Sequence, residues 1–158
     1  MKIIVFSDSH GNFNALYRVM EMHRDARAFF HLGDGQRELD DIEALYPEKE
    51  FYSVCGNCDL ASLKQATGLT EIAGKRIMFT HGHMYGVKSG IGALVTSARK
   101  NGADIVLYGH THIPYEEYDD GLYIMNPGSI GKGVFGSRST YGIIHIVNGQ
   151  ISTNIATL

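Results

Sequence analysis

The sequence is most informative at first for what it does not contain. Cysteine is scarce: Cys55 and Cys58 are the only 2 among 158 residues. Two cannot build a disulfide framework, and they suit a reducing compartment. No apolar stretch reaches the length of a membrane helix. The short run Ile3–Phe6 is also too brief for a secretory signal, and no small-residue cleavage pattern follows it. A cytoplasmic protein without membrane contact is therefore expected. Basic runs are missing and the net charge is −3, so no extended nucleic-acid surface is expected either. A local basic pocket is still allowed, because net charge does not say where charges sit. Linkers, repeats and low-complexity tracts are absent too. With 44% hydrophobic and 20% charged residues, the chain reads as one domain over 1–158, long enough to bury a core. Nothing in the composition fixes whether it forms a homo-oligomer.

What is present in excess is histidine, 8 in all, with four of them in the close pairs His81/His83 and His110/His112. Apolar patterning shows where they fall. The first half alternates strand and helix, as βα units do. Lys2 to Phe6 reads as a buried strand. Asn12 then caps a helix whose apolar face is Phe13, Leu16, Tyr17 and Met20. Ala28 to Leu32 is a second strand. Leu39, Ile42 and Leu45 mark a second helix stopped by Pro47, and Phe51 to Val54 is a third strand.

The second half is richer in hairpins. Leu69 to Ala73 and Arg76 to Thr80 pair around Gly74-Lys75, and a helix follows with Ile91, Leu94, Val95 and Ala98 on one face. Ala103 to Tyr108 is another buried strand. Tyr115 to Tyr118 pairs with Leu122 to Met125 around Asp120-Gly121, and Tyr141 to Val147 with Gln150 to Ile155 around Asn148-Gly149. Gly128 to Gly136 reads as one long loop. The fold class is α/β, with helices packed on sheets that carry both parallel and antiparallel strands.

Five of these strands end in the same way. Each passes from apolar residues into Asp, Asn or His: Phe6 into Asp8 and His10, Leu32 into Asp34, Val54 into Asn57, Thr80 into His81, and Tyr108 into His110 and His112. In open α/β sheets ligands bind outside the carboxyl ends of the strands. Were the strands side by side, these seven groups would converge, with Gly33, Gly56, Gly82 and Gly109 letting the backbone turn sharply beside them. Carboxylates, imidazoles and an amide form a mixed oxygen and nitrogen donor set suited to Mn, Fe, Zn, Co or Ni. Seven donors exceed what one catalytic metal takes, and match two metals sharing a carboxylate, a known clamp for displacement at phosphorus.

In order, Asp8-Ser9-His10, Gly33-Asp34, Gly56-Asn57-Cys58-Asp59, His81-Gly82 and Gly109-His110-Thr111-His112 resemble the motif series of the calcineurin-like metallophosphoesterase superfamily. The chain length resembles its small, cap-less prokaryotic phosphodiesterase branch. The resemblance implies a layered α-β-β-α sandwich of mixed sheets. It implies two divalent transition-metal ions, manganese first. Asp8, His10, Asp34 and His112 would hold one, and Asp34, Asn57, His81 and His110 the other, with Asp34 bridging. A hydroxide between the metals would attack a small phosphodiester. The family's third motif usually carries His where this chain has Cys58. The leaving-group acid is thus Cys58, a weaker hydrogen bonder than imidazolium, or His83 in its stead. Protein phosphatases extend Gly-Asp into Asp-Arg-Gly. Here Gly35-Gln36-Arg37-Glu38 follows Asp34, which favours a diester over a monoester.

Rival readings are weaker. Cys55-Gly56-Asn57-Cys58 is a CxxC, but a redox role leaves the Asp and His series unexplained. Gly128-Ser129-Ile130-Gly131-Lys132-Gly133 lacks the spacing of a phosphate loop, although Lys132 or Arg138 near it could touch substrate. His23, His31 and His145 lie inside elements and read as packing or surface residues. Asp59 reads as a residue that orients a neighbour. A phosphomonoesterase with the same metal centre, or a metal-loaded protein-binding scaffold, would share the donor set.

Overall fold

The structure, a computed structural model, describes residues 1–60, 62–131 and 138–158. Apolar residues at alternate positions build two layers from the first strand. In β1 (Lys2–Phe6), Ile3 and Val5 face one core while Ile4 and Phe6 face another. Strand β2 (Ala28–His31) repeats this two-sided burial, the edge strand β3 (Glu50–Ser53) is only half-buried, and both lie parallel to β1. Strands β9 (Thr140–Val147) and β10 (Gln150–Thr157) add antiparallel on the other side, giving the order β10-β9-β1-β2-β3.

The second sheet has the order β4-β5-β6-β8-β7, from β4 (Thr67–Ile72), β5 (Lys75–Thr80), β6 (Ile105–Tyr108), β7 (Tyr115–Asp119) and β8 (Leu122–Asn126). Strands β5, β6 and β8 run parallel; β4 and β7 close its edges antiparallel. The sheets pack face to face on Val5, Phe30, Leu32, Ile77, Leu107 and Ile144, with Phe30 and Phe79 edge to face at 5.0 Å. Burying each such side chain is worth roughly 1.5–3 kcal/mol.

Helices cover the outer faces. The Asn12 side chain accepts from the Ala15 N–H and starts α1 (Phe13–Met22), which buries Leu16, Val19 and Met20 on the first sheet beside α2 (Gln36–Leu45). On the second sheet, α3 (Gly92–Lys100) buries Leu94 and Ala98. The result is the α-β-β-α sandwich of mixed sheets.

Several details differ from the sequence reading, among them Tyr17 and Leu45, which are exposed rather than on the buried helix faces. The five donor-bearing strands do not lie side by side: β1, β2 and β3 belong to one sheet and β5 and β6 to the other. Their carboxyl ends meet because the parallel halves of both sheets point the same way across the sandwich. The first hairpin turns at Ala73-Gly74 rather than Gly74-Lys75. Both turn residues have positive φ, 52° and 74°, as a tight two-residue turn requires, and Lys75 already pairs with Ile72.

Candidate metal centre

The loops after β1, β2, β3, β5 and β6 bring all seven sequence-identified donors to one place. Its floor is buried: Asp8 and His81 are inaccessible and Asp34 nearly so. His10 and Asn57 are exposed at the rim, and His110 and His112 are half-buried. Side-chain donors fall within 4.8 Å of one another in three overlapping groups. These are Asp8 with His10 and His112, Asp8 with Asp34 and His81, and His10 with Asp34 and Cys58.

Distances show how tightly like groups are held. Asp8 Oδ1 lies 3.0 Å from His112 Nε2 and 3.9 Å from His10 Nε2. His10 Nε2 and His112 Nε2 are 3.3 Å apart. His81 Nε2 lies 3.1 Å from both Asn57 Oδ1 and His110 Nδ1, and 3.5 Å from Asp34 Oδ2. Imidazole nitrogens converging on carboxylates in this way are what a divalent cation collects. The tautomer of His81 fits as well. Its Nδ1–H donates to the Leu32 carbonyl oxygen at 2.7 Å, leaving a lone pair on Nε2 toward the centre. Asp8 Oδ1 is buried and accepts no hydrogen bond of ordinary geometry among the described residues, an unmet acceptor that a cation would satisfy.

Protonation follows the same geometry. Burial, reinforced by His81 and Lys88, pushes His110 down to about 4, so its ring is neutral at neutral pH. The adjacent Asp8 carboxylate raises His112. Burial acts to raise Asp8, but the His112, His81 and Ser7 side chains outweigh it and hold the carboxyl below its usual range.

The backbone is strained to place these groups. Asp8, His10, Asp34, His110 and His112 have φ of 55°, 45°, 58°, 68° and 59°. A side chain in this left-handed region costs roughly 1–2 kcal/mol per residue, and it persists only where the surroundings over-determine it. Here Asp59 supplies one constraint. Its carboxylate accepts N–H bonds from Asp34, Gly35, Gln36 and Gly56 at 2.8–3.1 Å. Burial acts to raise its pKa, and the four N–H donors outweigh it and hold it low. Asp59 therefore orients the Asp34 loop, as expected. Glycine supplies another constraint: a Cβ at Gly56 would collide with Asp34 Oδ1, and one at Gly109 with Ser7 Oγ.

Several contributors were not foreseen. Asn126, at the end of β8, donates through Nδ2 to the Gly109 carbonyl oxygen at 3.0 Å and to Thr111 Oγ1 at 2.9 Å, pinning the loop of His110 and His112. Its own strand passes from Ile124-Met125 into Asn126, so the pattern of apolar strands ending in polar residues could have found it. Ser129 Oγ and Gly131 N both donate to the Asp8 carbonyl oxygen. His31 is buried, accepts from Gly33 N–H at 3.3 Å and meets Ser9 Oγ at 3.0 Å, while Ser9 donates to Glu38 at 2.9 Å. Burial pushes His31 down to about 4. It is a packing histidine, as read, and it ties the first two loops to α2. His23 bonds Tyr141 at 2.9 Å, and His145 is exposed on β9.

The two residues considered for proton transfer flank opposite sides. Cys58 Sγ belongs to the group with His10 and Asp34, while the His83 ring, on the 3₁₀ turn His83–Tyr85, stands 5.3 Å from His81 and 6.1 Å from His110. Burial and the neighbouring Asp34 raise the Cys58 thiol, and burial lowers His83. Lys132 lies outside the described residues, as does the 132–136 part of the Gly128–Gly136 loop. A cleft of ≈ 290 Å³ opens at the centre along His10, Asp34, Arg37 and Cys58. A larger one of ≈ 690 Å³ runs between β3 and β4 and touches none of the seven donors.

Two mixed sheets whose parallel strands deliver Asp, Asn and His to one crevice define the metallophosphoesterase class. The chain belongs to the calcineurin-like phosphoesterase superfamily, whose domain it matches over residues 1–149. That family is metal-dependent, and the donor groups above are this chain's candidates for the metal. The chain is 31% identical over 150 residues to the probable metallophosphoesterase YsnB of Bacillus subtilis, covering 94% of this chain and 86% of that one. It is 29% identical to phosphodiesterase YfcE of Escherichia coli, covering 91% and 87%. Among solved structures, a conserved Streptococcus pneumoniae protein, itself a predicted phosphoesterase, has a TM-score of 0.84 at 29% identity, covering 99% of this chain and 88% of that one. Vps29 of Entamoeba histolytica complexed with zinc has a TM-score of 0.78 at 21% identity over 99% of each chain, a likeness of fold alone. The small phosphoesterase relatives agree with the cap-less prokaryotic branch. No helix among the described residues is long and apolar enough to cross a membrane.

Proposed function

We propose that the chain is a dinuclear metal-dependent phosphodiesterase that hydrolyses small phosphodiesters in a cytoplasmic setting. The observation that carries this reading is the place of Asp34. Its Oδ2 is 3.5 Å from His81 Nε2 and 4.0 Å from His10 Nε2, so one carboxylate faces both halves of the donor set. Asp8, His10, Asp34 and His112 would hold one ion, and Asp34, Asn57, His81 and His110 the other. Manganese is taken first on the family resemblance, and the oxygen and nitrogen donors suit Fe, Ni, Zn or Co as well. Two bound cations would supply an activated water near neutral pH and neutralise the phosphoryl oxygens.

The chain's own groups do the positioning. Cys58 N–H donates to Asp34 Oδ1 at 2.8 Å, which leaves Oδ2 free to face the centre. The Cys58 thiol, kept protonated by burial and Asp34, could give its proton to a good leaving group, with His83 the other candidate acid. A diester is preferred because no Asp-Arg-Gly follows Asp34 to balance a dianion, and the relative YfcE is called a phosphodiesterase.

The test joins metal content to turnover. Protein stripped with chelator and reloaded with Mn²⁺ is expected to bind two ions per chain. It should cleave bis(p-nitrophenyl) phosphate with a higher kcat/KM than p-nitrophenyl phosphate. Asp34→Asn should lower that activity by about a thousandfold, and His110→Ala should lower it too. Faster cleavage of the monoester would replace the reading with a phosphomonoesterase. Metal uptake without turnover would replace it with a metal-loaded scaffold.

A further inference from the structure

On the second-sheet side of the metal centre lies a cavity that the chemistry above does not use. It has a volume of ≈ 390 Å³ and is lined by Val87, Lys88, Tyr108, Thr111, Ile113 and Tyr115. That is within the range of small-molecule sites. It adjoins the centre through Thr111, which sits between His110 and His112, and through Lys88, whose charge acts on both of those histidines.

The lining is unlike the rest of the site. Four of its six residues present aliphatic or aromatic walls. Ile113, directly after His112, is 60% exposed, and Tyr115 is 38% exposed. Thr111 Oγ1 is already engaged by Asn126 Nδ2 and by the Ile113 N–H. Lys88 forms no hydrogen bond or ion pair with any described residue. Apolar walls, two tyrosine rings and one free cation therefore sit beside the place where the phosphate would lie. On the opposite side, the cleft along Gln36, Arg37, Glu38 and Asp59 also holds a cation, Arg37, but no tyrosine ring or branched aliphatic side chain lines it.

We infer that this cavity is a subsite for the planar base of a nucleoside phosphodiester, held against Tyr115, Ile113 and Val87 with Lys88 toward the phosphate. The inference rests on the phosphodiesterase reading for the position of the phosphate. A base suits the walls better than an acyl chain. Its flat faces stack on aromatic rings, and the cation at the rim complements the phosphate attached to it. A chain would instead need a long apolar groove without charge.

Two measurements test it. The first compares thymidine 5′-p-nitrophenyl phosphate with methyl p-nitrophenyl phosphate, which share a leaving group, on the metal-loaded full chain. The nucleoside ester is expected to be favoured by about tenfold in kcat/KM, chiefly through KM. Tyr115→Ala and Ile113→Ser should collapse that ratio towards one, while Tyr115→Phe, which keeps the ring, should preserve it. A ratio near one in the unaltered protein, or one that survives both Tyr115→Ala and Ile113→Ser, would overturn the subsite. The second measurement titrates thymidine alone into the Zn²⁺-loaded full chain and follows the Ile113 methyl resonances by NMR. Saturable shifts that disappear in Tyr115→Ala are expected, and their absence would overturn the proposal. Shifts without cleavage of either diester would retain the subsite and sink the phosphodiesterase reading instead.

Discussion

The same backbone conformation occurs at two kinds of place in this molecule, for opposite reasons. Among the described residues, Ala73, Asp120 and Asn148 take positive φ in hairpin turns, each followed by a glycine that also does. The other five such non-glycine residues are Asp8, His10, Asp34, His110 and His112. At the hairpins the cause is local. A two-residue turn between twisted strands requires that conformation, and a Cβ at Gly74, Gly121 or Gly149 would meet nothing within 4 Å. At the site the cause is tertiary. A Cβ at Gly56 or Gly109 would strike a buried side chain, and Asp59, Asn126 and Ser129 bind the strained loops from other parts of the chain. Strain at the hairpins makes the fold, whereas strain at the donor loops is carried by the fold.

That difference can be broken most severely at Gly109. Gly109→Ala would push a methyl into Ser7 Oγ, beside the carboxylate of Asp8, and disturb the bond that Ser7 donates to it. Overpacking plus a lost hydrogen bond to a charge should cost about 4 kcal/mol of stability and abolish metal uptake. Urea unfolding and metal analysis of the variant would check this; near-normal values for both would remove the tertiary account of the site loops.

The His31 network should show the tertiary constraint through pH. His31 is pushed down to about 4 in the folded protein, from an ordinary 6.5. The unfolded chain therefore binds the extra proton first as pH falls. The stabilising contribution is complete above about 6.5 and is lost progressively between 6.5 and 4, amounting to about 3 kcal/mol. In chelator-treated protein, stability measured across that window should fall more steeply for the unaltered chain than for His31→Asn. Parallel slopes would mean that His31 titrates normally.

What the sequence made legible follows the same division. Local rules sufficed for the ten strands and three α-helices among the described residues, with ends misplaced by about two residues at β4, β6 and β10, because periodicity and capping are short-range signals. Asn-Gly and Asp-Gly located two hairpins correctly. The convergence of the seven candidate donors was legible as well, since each closely follows an apolar run. The division of their strands between two sheets was hidden, because both sheets offer short parallel strands whose apolar runs do not say which sheet they join. Asn126 and the Ser9–His31–Glu38 chain were hidden for a related reason. Their partners lie 15 to 29 residues away, and a lone Asn, Ser or His carries no sign of which backbone it will hold.

Asp59 tests the constraint from the outside, since its carboxylate is not among the proposed metal ligands. Asp59→Asn keeps the size and loses two of the acceptor sites and the charge that gather four N–H groups. A stability loss of about 2 kcal/mol is expected, with metal affinity reduced roughly tenfold to a hundredfold, as when a group that orients a ligand is removed. Calorimetric titration with Mn²⁺ would measure the second effect. Unchanged affinity would show that the Asp34 loop holds its conformation without help.

The smallest effect should come from the far end of the comparison. Gly149 turns the β9–β10 hairpin at φ 78°, with open space around its missing Cβ. Gly149→Ala thus adds no collision, only the intrinsic penalty of an alanine in the left-handed region, about 1 kcal/mol. Thermal unfolding should register that small loss while metal content and phosphoesterase turnover stay at the level of the unaltered chain. If Gly149→Ala instead damaged the metal centre as Gly109→Ala does, strain at the two ends would be coupled through β9 and β1. The separation of local from tertiary causes would then fail where the two should be most independent.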